Sequence, residues 1–220
     1  MNRMDGRVLW AFLVLGTVLI TGLVARTFIP TDAVKVALLA WQQLVFVVGG
    51  VLGARREIFK PLRLRVFAWG LLSGVGLYMV NTALGAMTLG VVRQFLDHGT
   101  VQNLILRERA GVETLLTSSK PLVVTGAIIL LIFGAPLGEE LFFRGLLVDL
   151  WKERLGTKKA VFLGALIFAG LHFYVLQFVP VLVSGIILGL LFTRSKNILI
   201  PVMAHSVVNG LILLAWSLGL

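Results

Sequence analysis

The chain has 220 residues, 58% of them hydrophobic and only 14% charged, with a formal net charge of +10, a mean hydropathy of +0.99 and no cysteine. A soluble fold of this size cannot hide so much apolar surface, and a disordered chain would not carry it. Without thiols there are no disulfides, zinc–thiolate sites, iron–sulfur clusters or cysteine nucleophiles.

The sequence therefore reads as an all-α, polytopic transmembrane helix bundle of about 7–8 helices, a single integral membrane domain over 1–220. In chain order the apolar spans run from about Val8 to Ile29, Val34 to Gly53, Phe67 to Val92 and Pro121 to Leu150. Three more follow at about Ala160–Phe178, Pro180–Thr193 and Ile198–Leu218. The sixth is short for a bilayer, which predicts a tilted, broken or buried helix. The polar stretch Arg93–Lys120 fits an interfacial helix or an ordinary loop. Residues 1–120 thus hold the N-terminal spans and a polar connector, and 121–220 hold the part in which polar motifs recur. The basic N-terminus followed by an apolar run could also be read as a signal peptide; the run is longer than such a region usually is, which favours a spanning anchor.

The positive charges cluster between spans: Arg3 and Arg7; Arg55, Arg56, Lys60, Arg63 and Arg65; Lys152, Arg154, Lys158 and Lys159; Arg194 and Lys196. The positive-inside rule accounts for them without a nucleic-acid partner, and the lipid bilayer is the partner implied. Seven spans with a cytoplasmic N-terminus satisfy every loop, and a prokaryotic inner (plasma) membrane is the expected location.

Six polar groups stay inside the apolar C-terminal half: Glu139, Glu140, Arg144, His172, His205 and Asn209. Each ionisable group at bilayer depth costs about 2.5–3.5 kcal/mol, which marks it as functional by default. Glu140 and Arg144 are four apart, on one helix face, where pairing makes their burial tolerable. Glu139 lies further round the helix without such a partner and is the candidate base. Phe168 stands one turn before His172, and His205 one turn before Asn209. Glu and His can polarise a water while His and Asn stabilise an oxyanion, a peptide-hydrolysis layout without a covalent nucleophile. Glu139, His172 and His205 could instead hold a divalent metal such as zinc, although the His-Glu-x-x-His helix motif is absent.

These residues resemble the CPBP intramembrane proteases, also called the Abi or type II CAAX prenyl protease family. Its three motifs, Glu-Glu-x-x-x-Arg, Phe-x-x-x-His and His-x-x-x-Asn, stand here in order as Glu139–Arg144, Phe168–His172 and His205–Asn209. The resemblance implies a glutamate-dependent protease in which Glu139 is the general base assisted by His172. It further implies that His205 and Asn209 form the oxyanion hole, with Glu140, Arg144 and Phe168 supporting the site. The expected substrate is a membrane-associated or lipid-attached protein or peptide, with no obligatory cofactor. A non-enzymatic membrane immunity or scaffold protein on the same fold, or a small proton- or cation-coupled transporter, would use the same residues differently.

Overall fold

A computed structural model describes residues 3–27 and 31–219, apart from the side chains of residues 3–5 and 25–27. Arg3's side chain and the expected end of the first span at Ile29 therefore lie outside the described residues. Eight α-helices make up the fold: α1 (Arg3–Thr27), α2 (Asp32–Gly53), α3 (Leu64–Val92), α4 (His98–Leu116), α5 (Pro121–Leu155), α6 (Thr157–Gly170), α7 (Phe178–Ser195) and α8 (Leu199–Ser217). Six of them, α1, α2, α3, α5, α7 and α8, are long and apolar enough to cross a membrane, and the protein is an integral membrane protein.

The helix count agrees with the sequence, but the fifth and sixth expected spans are redistributed. Instead of one helix over Ala160–Phe178, α6 stops after 14 residues, and the chain turns through 171–177. Phe173 adopts a left-handed φ of 55°, which no helix accommodates. The expected short sixth span correspondingly starts earlier and becomes the 18-residue α7. The polar connector is a helix, α4, started by an Asp97 cap that accepts from the Thr100 N–H at 3.0 Å. Hydrogen bonds from Thr100 hold the Asp97 carboxyl below its ordinary range.

Helices in lipid gain little from excluding water, so close backbone approach has to hold them. In α3, Gly70 and Gly74 face α8: a Cβ on Gly74 would lie 2.5 Å from Val207 Cβ and 2.8 Å from the Ala204 carbonyl oxygen. In α2, a Cβ on Gly50 would sit 2.6 Å from the Leu141 carbonyl carbon. Gly185 and Gly189 of α7 press against Ala165 and Val161 of α6 in the same way. Around these seams Phe46, Phe142, Phe143 and Phe168 form a chain of ring contacts with successive centroids 5.1–5.7 Å apart.

The end of the bundle that carries the basic loops is tied by one acid. Asp149, 1% exposed, meets Arg7 at 3.1 Å, Arg55 at 3.1 Å and Lys152 at 2.5 Å. Arg7 also donates to the Gly53 carbonyl at 2.9 Å, and Trp10 to that of Gly49 at 2.9 Å. These contacts join α1 and α2 to the last turns of α5.

Gly74→Ala is expected to destabilise the bundle by about 1–3 kcal/mol through overpacking. Gly76→Ala, where a Cβ meets open space, is expected to leave stability unchanged or raise it. Thermal unfolding of both variants in one detergent checks this.

Candidate active site

The site is built around an irregular α5. Along Leu130–Gly134 and Leu141–Val148 the hydrogen bonding widens to i→i+5, as when the Ala135 N–H donates to the Leu130 carbonyl and the Asp149 N–H to that of Arg144. Such wide turns re-aim the side chains of a helix. Between them, the regular segment Ala135–Glu140 carries both glutamates at its end. In the wide register the Leu131 carbonyl would be answered by residue 136, a proline without an N–H. Asn209 fills that role, its Nδ2 donating to the Leu131 oxygen at 2.8 Å.

Glu140 is fully buried, and its Oε1 accepts from Arg144 Nη1 at 2.9 Å and from His205 Nδ1 at 2.9 Å. Arg144, 1% exposed, donates from Nη2 to the Gly185 carbonyl at 3.0 Å and lies with its guanidinium carbon 4.7 Å from the Phe168 ring centroid. One ion pair thus gathers α5, α6, α7 and α8. Because a carboxylate paired to arginine only accepts, His205 carries its proton on Nδ1 and turns Nε2 toward Glu139, whose Oε2 is 4.0 Å away. Glu139 and His205 keep 13% and 11% of their side-chain surfaces accessible, whereas Glu140 keeps none.

His172 ends α6. Its Nδ1 is 2.7 Å from the Phe168 carbonyl oxygen, so Nδ1 is the protonated nitrogen and Nε2 holds the lone pair. The Phe168 ring lies between the two imidazoles, 4.7 Å from His172 and 6.0 Å from His205, each edge to face. Tyr174 stacks near His172 at 5.6 Å. Burial pushes its phenol above the ordinary range, and the Glu108 and Glu139 carboxylates add to the shift.

The structure thus brings Glu139, Glu140, Arg144, Phe168, His172 and His205 into one cluster. Asn209 borders it from α8 with one amide proton held by the backbone. Among the described residues, no three His, Cys, Asp or Glu side chains are grouped so as to hold an ion.

Several neighbours were not singled out from the sequence. Gln43 of α2, 4% exposed, lies against Gly138 with its Oε1 unpartnered among the described residues. Adjacent glutamines in an otherwise apolar span were the available signal. Ser184 donates to Asn81 of α3 at 2.5 Å, one residue before the carbonyl that Arg144 uses. Glu108 gave no signal, because it belongs to neither a motif nor an apolar span.

A family model described as type II CAAX prenyl endopeptidase, Rce1-like, matches residues 121–211. Over that stretch the chain resembles the type II CAAX prenyl endopeptidases. The matched segment runs from the start of α5 into α8 and contains all seven motif residues singled out above. Neither the curated proteins nor the solved structures contain a match to the chain. At the level of the family, the Rce1-like match supports a membrane-embedded protease.

Arg144→Met is expected to cost about 3–5 kcal/mol, because it strands the Glu140 carboxylate in the interior. Adding Glu140→Gln should recover much of that loss by removing the stranded charge. Thermal midpoints of wild type, single and double variants in detergent test the coupling.

Proposed function

We propose that the chain is an intramembrane endopeptidase that hydrolyses a peptide bond of a membrane-associated or lipid-attached substrate with water activated by Glu139. The observation that carries this reading is the division of labour between adjacent glutamates. Glu140 is buried and tied to Arg144 and His205, while Glu139 retains access and faces His205 Nε2 at 4.0 Å. That separation is too long for a direct hydrogen bond. In this reading a water bridges the two groups.

In the proposed reaction Glu139 takes a proton from this water as its oxygen attacks the scissile carbonyl carbon. The carbonyl oxygen becomes an oxyanion, stabilised from α8 by His205 and by the Asn209 amide proton that Leu131 does not engage. The proton on Glu139 then passes to the leaving amine as the C–N bond breaks. His172, with a basic Nε2, assists the transfer. No step requires a metal or another cofactor. By the positive-inside rule the three basic loops support a cytoplasmic orientation for their end of the bundle, as expected in a prokaryotic inner membrane.

Glu139→Gln is expected to lower cleavage of lipidated or membrane-anchored peptides by about 100-fold to 10,000-fold while the thermal midpoint stays near that of wild type. Wild-type activity should persist in chelator. The assay is cleavage of a panel of quenched peptides by detergent-purified protein, and full activity of the Gln variant overturns the mechanism. His172→Ala is expected to lose a smaller factor, measured on the same panel.

A further inference from the structure

The loop that carries His172 is held by a residue 64 positions earlier in the chain. Glu108 of α4 reaches the α6–α7 connection and accepts three consecutive backbone N–H groups: Val175 at 2.6 Å and Leu176 at 2.7 Å on Oε1, and Gln177 at 3.2 Å on Oε2. These N–H groups are ones that the break at Phe173 leaves without helical partners. A row of such groups at the approach to a helix forms a concave anion site, and here the anion is the protein's own carboxylate. Tyr174, which stacks on His172, is the residue immediately before the clamped trio.

We propose that Glu108 is a positioning residue for His172, so that α4 is a working part of the active site; this rests on the protease reading. The left-handed turn at Phe173 is stable only while the freed N–H groups are answered, because irregular backbone is tolerated at membrane depth only when the protein satisfies it. Glu108 answers them and thereby fixes where the chain leaves α6. That exit sets the direction of His172 Nε2 and the position of the Tyr174 ring beside it. Arg107 and Arg109 flank Glu108 in sequence, yet its carboxylate engages backbone 67–69 residues away. A carboxylate serving only to solubilise α4 would stay among its own charged neighbours.

The test uses the full chain in detergent. Ring-nitrogen spectra of isotopically labelled histidine contain only three residues, and each is assigned by its own His→Gln variant. Glu108→Ala is expected to move the His172 ring signals and leave those of His205 in place. It should lower kcat on a cleaved peptide by up to about 100-fold with little change in KM, the effect of misplacing a catalytic group. Glu108→Gln keeps an acceptor oxygen and should restore most of both. Glu113→Ala, on the same helix, should change neither. Unchanged His172 signals in a folded Glu108→Ala protein overturn the proposal, and so does an unchanged kcat. If Glu108→Ala does not fold, Glu108→Asp, whose shorter side chain draws the carboxylate back from the three N–H groups, decides: displaced His172 signals support the proposal, and wild-type signals refute it. If wild type cleaves no peptide, the protease reading fails by itself, and the histidine spectra still decide the positioning.

Discussion

A guanidinium and a carboxylate inside a lipid-embedded bundle have no bulk water to turn to, so each has to find its partners within the protein. Arg144 and Glu140 are in that position, and the arrangement of the C-terminal helices follows from it. The arginine takes the carboxylate on its own helix, a backbone carbonyl on α7 and the Phe168 face on α6. The carboxylate takes His205 on α8. Four helices are therefore registered against one charged pair, and the histidine it captures is thereby oriented toward Glu139. The ion pair contributes less as attraction than as a geometric reference from which the reactive side chains are set out.

The same accounting extends to the backbone. Two wide stretches in α5, a proline within it and a left-handed residue after α6 all release polar groups that a regular helix would pair. Asn209 and Glu108 take up some of these groups, and both lie beside the residues proposed to do chemistry. Irregular backbone and reactive side chains coincide because a straight helix can present only a fixed stripe, whereas a widened or broken one can turn a carboxylate or an imidazole into the interior.

How much of this could be read from the sequence depended on whether the information was local. The i,i+4 spacing of Glu140 and Arg144 was enough to expect their pairing, which is present at 2.9 Å. The all-helical membrane fold was legible from hydropathy alone. Which histidine stands against Glu139 was not legible, because that depends on how α8 is rotated against α5; the resemblance pointed to His172, and the structure puts His205 Nε2 at 4.0 Å. The end of α6 was invisible for a different reason. Phe173, Tyr174, Val175 and Leu176 are as apolar as the helix before them, so a hydropathy profile runs straight across the break. The small-residue spacing Gly70-x-x-x-Gly74 and Gly185-x-x-x-Gly189 did carry the helix pairings in plain sequence, as a packing signal rather than a polarity signal.

The buried acid at the basic end of the bundle bears on how the protein is made. A nascent chain delivers α1 and α2 to the membrane well before Asp149 has been synthesised, so Arg7 and Arg55 enter without their shared partner. When α5 arrives, its last turns bring one carboxylate to the two waiting arginines, and the early and late halves become fastened together. Maturation thus has a built-in final step: α1 and α2 hold each other through Arg7, Trp10 and Gly49, and their basic end is fastened to α5 by a residue translated in the second half of the chain.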